Sequence, residues 1–177
     1  MLTSQIPSRV EPYKLAARRE QLEGLVALNG LKRLADEAGA QAGDCRVTLD
    51  FGIDAQGRHE IRGSLEADLM LGCRRCLESM AMPVESEFLL GMVTDGALAS
   101  ELPASHEPVL VKNEQLDLLT VIEDELILSL PQVVYHDEAD CLVSAQQLVS
   151  KDDDGPTDAS APADNPFAVL RTLKGKK

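Results

Sequence analysis

The stretch Leu69–Glu78, reading L-M-L-G-C-R-R-C-L-E, sets a C-x-x-C pair between two segments of alternating apolar and polar residues. Before it, Ile61, Leu65, Ala67, Leu69 and Leu71 interleave with Glu60, Arg62, Ser64, Glu66 and Asp68. After it, Met80, Met82, Val84, Phe88, Leu90 and Met92 interleave with Ala81, Glu85 and Glu87. A period of two buries one set of side chains and leaves the other in water, so both segments read as strands. Cys73 and Cys76 then fall in the hairpin loop. A tight turn aims both sulfurs at one point and leaves two corners of a tetrahedral ion for ligands from elsewhere, which is how a zinc knuckle is built.

Working outward, Arg46 to Ile53 is a further strand, with Val47, Leu49, Phe51 and Ile53 on one face. Asp54-Ala55-Gln56-Gly57 is the turn that joins it to the next, giving an antiparallel three-stranded meander with one buried face. From Thr94 to Pro108 the period is lost and a surface loop is expected, with a short strand over Val109–Val111. Leu116 to Leu130 is the strongest helical pattern, with Leu119, Ile122, Leu126 and Leu130 on one stripe, Asp117 near its start and Pro131 as its stop. Packed across the buried face of the sheet, that helix makes the fold α+β. Two short helices are expected ahead of the meander, over Tyr13–Leu22 and Asn29–Ala38, the second capped by Asn29.

Glu123, Asp124 and Glu125 form an acidic triplet within the long helix. At 100° per residue Asp124 and Glu125 project away from the apolar stripe, and Glu123 lies at its edge. Glu123 is therefore the one in need of a partner, expected to be an arginine from the sheet.

Three segments follow from composition. Residues 1–150 form the α+β domain; residues 151–164, K-D-D-D-G-P-T-D-A-S-A-P-A-D, are a low-complexity acidic linker expected to be disordered. Residues 165–177 begin with an N-P helix start and carry Phe167, Leu170 and Leu173 backed by Arg171, Lys174, Lys176 and Lys177, the pattern of a short docking peptide, the alternative being a frayed tail. A short helix is expected from Ser144.

The net charge of −13 is unevenly spread. Residues 1–80 carry 11 Lys/Arg against 12 Asp/Glu, residues 81–164 carry 2 against 18, and residues 165–177 carry 4 against none. A surface of this sign repels phosphate, which excludes non-specific coating of nucleic acid or anionic membrane. RNA contact is expected through the amino-terminal half, by Arg18, Arg19, Lys32, Arg33, Arg74 and Arg75, through the basic tail, or by way of a partner protein. Three Phe, two Tyr and no Trp leave few rings for base stacking. No apolar run is long enough to span a membrane and the start lacks the regions of a signal peptide, so a cytoplasmic protein is expected.

Four cysteines in a cytosolic chain are read against metal and plain burial rather than as disulfides. Cys73, Cys76, His136 and Cys141 make one tetrahedral set, which would hold a structural zinc ion with no open position for catalysis. The alternative is a group of reduced, partly buried thiols beside a surface histidine. Cys45 stands apart as a buried thiol at the head of its strand. Redox chemistry fits less well, because reactive C-x-x-C pairs open a helix and this one opens a strand. His59 and His106 lie singly in polar surroundings, and no phosphate loop, H-E-x-x-H or G-x-S-x-G occurs, so no catalytic site or small-molecule substrate is expected.

L-G-C-R-R-C-L-E at 71–78, L-D-L-L-T-V-I-E-D-E-L-I-L-S-L-P at 116–131 followed by His136 and Cys141, and N-P-F-A-V-L-R-T-L-K at 165–174 together resemble the YceD family of bacterial proteins. The family's motif positions fall on Cys73, Arg75, Cys76, Glu123, Asp124, Glu125, His136 and Cys141. The resemblance implies a non-enzymatic factor for the synthesis, processing or accumulation of large-subunit ribosomal RNA. Its partner would be precursor large-subunit ribosomal RNA or an early ribosomal protein. The acidity of residues 81–164 supports an alternative, an adaptor or chaperone that shields a basic ribosomal protein. A C-x-x-C thiol oxidoreductase is the third reading.

Overall fold

The computed structural model describes residues 5–144 and Gln147 of the 177-residue chain. In chain order the elements are β1 (Arg9–Val10), α1 (Pro12–Arg18), β2 (Gln21–Ala27), α2 (Lys32–Ala38), β3 (Asp44–Ile53), β4 (His59–Gly72), β5 (Ser79–Val93), β6 (Glu107–Leu110), β7 (Leu116–Asp117) and α3 (Leu118–Leu128). The class is α+β. The acidic linker, the basic tail and most of the helix expected from Ser144 lie outside the described residues.

The expected meander is the centre of a five-stranded sheet ordered β2-β3-β4-β5-β6, antiparallel throughout except that β6 runs parallel to β5. Val47, Leu49 and Phe51 from β3, Ile61, Leu65 and Leu69 from β4, and Val84, Phe88 and Leu90 from β5 form the buried face. Leu118, Ile122 and Leu126 of α3 complete that core, each 0% exposed. Gly63 and Phe88 are directly opposed across β4 and β5, and the Phe88 ring lies over the glycine. A Cβ at position 63 would meet Phe88 Cζ at 2.1 Å, so only glycine lets the ring lie there.

The first expected helix ends early. Arg19 takes the left-handed conformation at φ 53 and closes α1. Leu22, expected to end that helix, instead pairs with Leu49 in β2. The strand forms because β3 supplies a hydrogen-bonding edge for Gln21–Ala27, a tertiary gain that outweighs a helical spacing of two leucines.

The second helix begins at Lys32 and is not capped by Asn29, which sits in a single 3-10 turn ahead of it. Its own N-cap, Leu31, makes no side-chain cap bond. Glu123 supplies the missing acceptor from α3: its Oε1 accepts the N–H of Arg33 at 2.7 Å and of Leu34 at 3.2 Å. The third helix has a cap of its own, with Asp117 accepting from the N–H of Thr120. The loop after β5 also holds a 3-10 helix, Gly96–Glu101, that the lost periodicity did not announce.

Candidate metal centre

The loop 73–78 is a tight backbone turn. Cys73 N–H donates to Glu78 O at 2.9 Å, Leu77 N–H donates to Cys73 O at 2.8 Å, and Leu77 takes a left-handed φ of 65. The second half of the site comes from the irregular segment after α3. Val134 is buried and its carbonyl accepts from Arg74 N–H at 2.8 Å, which lays the segment against the hairpin loop. Asp137 O accepts from the N–H groups of Asp140 and Cys141, and this turn brings Cys141 back beside His136.

The result is convergence. One ligand atom from each of Cys73, Cys76, His136 and Cys141 lies within 4.8 Å of every other. Cys73 Sγ and Cys141 Sγ are 4.0 Å apart, and Cys76 Sγ is 3.3 Å from His136 Nδ1. Zinc–sulfur bonds of about 2.3 Å place two thiolates about 3.8 Å apart along a tetrahedral edge, so the donor set fits that ion. Three sulfurs and one imidazole nitrogen are also the chemistry that suits zinc over harder cations.

The surroundings act in opposite directions on the two hairpin sulfurs. Cys73 is fully buried, which would raise its thiol, but N–H donors from Cys76, His136 and Arg75 outweigh burial and bring it from 9.0 to about 5. The Arg75 and His136 donors lie 3.4 Å from Sγ. Cys76 is raised, by burial first and then by the neighbouring sulfurs. A buried sulfur favoured as thiolate is one that could serve as a metal ligand. Arg75 spans the two halves: its Nε–H donates to Cys141 Sγ at 2.9 Å and its Nη2 to His136 O at 3.1 Å. A divalent ion held there by three thiolates and an imidazole would carry a net negative charge, which the Arg75 guanidinium would offset.

Cys45 lies where expected at the head of β3, 0% exposed and raised by burial to about 11. The acidic triplet divides. Glu123 finds its arginine, but on α2 rather than the sheet: Arg33 Nε donates to Glu123 Oε2 at 3.0 Å and Nη1 donates to Asp124. Glu125 does not project outward. The buried face of α3 is turned toward Leu118 and Val121, which leaves Glu125 only 7% exposed. Of the expected contact arginines and lysine, Arg18, Arg19, Lys32 and Arg74 are exposed, and Arg33 and Arg75 make the internal bonds just described. Phe167, Leu170, Arg171 and Lys174 lie outside the described residues.

His106 is not isolated as its sequence surroundings implied. Its Nε2 lies 3.2 Å from Glu60 Oε2 and its Nδ1 lies 3.0 Å from Ser105 Oγ. Asp54 adjoins the pair but is held by Arg58 Nε at 2.6 Å and by the N–H groups of Gln56 and Arg58. Only the pairing of β3, β4 and the loop before β6 brings these residues together, and no local pattern announces it.

The model for a family described as large ribosomal RNA subunit accumulation protein YceD matches residues 61–174. The chain belongs to the YceD family. A Haemophilus influenzae protein named large ribosomal RNA subunit accumulation protein YceD is 38% identical over 174 residues, covering 97% of this chain and 98% of the relative. No solved structure matches. The YceD match begins at Ile61 inside β4, so it takes in both halves of the sulfur centre and the acidic triplet but not α1, β2 or α2. Among the described residues, no helix is long and apolar enough to cross a membrane.

Proposed function

We propose that this YceD-family chain is a non-enzymatic ribosome-biogenesis factor that promotes accumulation of large-subunit ribosomal RNA. The observation that carries the reading is the likeness to a protein of that name along almost the entire length of both chains. The sulfur centre is read as a structural zinc site, with Cys73, Cys76, His136 and Cys141 as its four ligands. When bound, the ion would cross-link the β4–β5 loop to the segment after α3. Four protein ligands leave no position for substrate, in keeping with a scaffold.

On this reading, contact with precursor ribosomal RNA or an early ribosomal protein runs through the exposed Arg18, Arg19, Lys32 and Arg74. The acidic segment 151–164 serves as a tether, and residues 165–177, with Phe167, Leu170, Arg171 and Lys174, as a second docking element. The test is depletion in the native host, followed by measuring large- against small-subunit ribosomal RNA and sedimenting the subunits. A fall in large-subunit RNA, restored by the full chain, is expected. An unchanged RNA ratio and subunit profile would overturn the reading.

A further inference from the structure

We propose that the groove formed by α2, α3 and β6 docks a basic, apolar segment of a protein partner, with Glu125 receiving one of its cationic side chains. The proposal stands on the chemistry of the groove and is independent of the ribosomal reading.

Glu125 is the anomaly in this region. It is 93% buried, being 7% exposed. Among the described residues, its carboxylate has neither a hydrogen-bond donor nor an ion-pair partner, while adjacent Glu123 has three donors. Among the described residues, Arg33 is the one cation in the groove wall, and its guanidinium is bound to Glu123 and Asp124, while Arg62 in the wall of a second cavity is paired with Glu60. Glu125 opens instead onto two adjoining cavities of about 540 and 630 Å³, whose linings share it and Glu107. Its oxygens keep contact with the open space of those cavities, so the carboxylate is presented to the groove with no protein counter-charge bound to it among the described residues. Burial, then Glu107, then Asp124, push its pKa up to about 7. At neutral pH it is therefore poised to ionise when a cation arrives.

The rest of the groove fits the same guest. Leu90, Val121 and Leu128 line it, and Leu128 is 72% exposed. Asp36, Glu107 and Asp124 stand around that apolar surface. A negative rim over an apolar wall with a buried carboxylate at its end repels nucleic-acid phosphate. It suits an arginine or lysine flanked by aliphatic residues.

The probe is a fluorescent synthetic peptide of leucines and arginines at helical spacing, titrated into the purified full chain by anisotropy. Glu125→Gln is nearly isosteric, and Leu128→Ser alters an exposed position, so both variants are expected to fold. Saturable binding is expected, weakened at least about tenfold by Glu125→Gln and measurably by Leu128→Ser, with no binding of a peptide whose arginines are replaced by glutamine. Equal affinity for the parent and both variants would overturn the proposal. So would preferential, Glu125-dependent binding of a peptide spanning residues 165–177, which would make the chain's own basic segment the occupant. Displacement of the probe from Glu125 by a single-stranded RNA would equally overturn it.

Discussion

Replacing Glu123 by alanine tests whether the acidic triplet holds the fold together at the α2–α3 contact. Its carboxylate accepts the N–H groups of Arg33 and Leu34 on one oxygen and Arg33 Nε on the other, and its side chain is 12% exposed. Loss of a helix cap costs about 1 kcal/mol. Arg33 is half exposed and keeps Asp124, so losing its charge-assisted bond to Glu123 adds about 1–2 kcal/mol rather than the full penalty of an orphaned buried ion. The sum is a destabilisation of about 2–3 kcal/mol, or roughly 5–10 °C in Tm for a domain of this size. Glu123→Gln keeps the acceptor for the two backbone donors and loses the ion pair, so it should fall at about half that value. Urea denaturation read by far-ultraviolet circular dichroism measures both, and a cycle with Arg33→Ala should give a coupling of about 1 kcal/mol or more. A Glu123→Ala chain within 0.5 kcal/mol of the parent would refute the capping argument.

Zinc content gives a second check: the purified chain should carry stoichiometric zinc by mass spectrometry, and Cys73→Ser or a strong chelator should remove it and expose loop 73–78 to limited proteolysis. Metal-free protein purified under reducing, chelator-free conditions would count against the site. Glu125 gives a pH test. Its folded pKa is raised from 4.5 to about 7, so the native state binds more protons than the unfolded chain between those values and stability falls as pH rises through that window. The full effect is about 3 kcal/mol at most. The groups facing Glu125 are Glu107 on β6, Asp124 on its own helix, Arg33, Asp36 and Glu37 on α2, and Asp50, Arg62 and Glu87 across the second cavity. Denaturation at pH 5 and 8 should therefore converge for Glu125→Gln relative to the parent, and parallel profiles would sink the assignment. Gly63→Ala should destabilise by about 1–3 kcal/mol as the methyl displaces the Phe88 ring, measured by the same denaturation; a neutral result would mean the ring moves aside freely.

The parts of this fold that sequence reveals are those whose signal is local. Period-two alternation on both sides of Cys73 and Cys76 is enough for β4, β5 and the loop between them, and Asp117 ahead of an apolar stripe is enough for the start of α3. The parts it hides are decided by a distant partner. Leu22 is a strand residue because Leu49 lies beside it, and α2 needs no Asn29 cap because Glu123 reaches it from across the chain. The site divides the same way. The C-x-x-C turn is a local motif, and the loose H-x4-C spacing of His136 and Cys141 is compatible with one ion. That both pairs meet, however, depends on the Arg74–Val134 backbone bond, which no spacing encodes.

The acidic triplet shows how one residue type takes three roles through helical geometry. Steps of about 100° turn successive side chains toward different neighbours. Glu123 meets the open end of α2, Asp124 meets the outer side of the Arg33 guanidinium, and Glu125 turns toward β6, where Glu107 rather than a cation awaits it. One arginine satisfies the first two and does not pair with the third. A helix selected for stability alone would place an apolar residue at position 125, beside Ile122 and Leu126 in the core. Glu125 is thus the member of the triplet that packing does not explain, and the open cavities on either side of it are where the missing counter-charge fits.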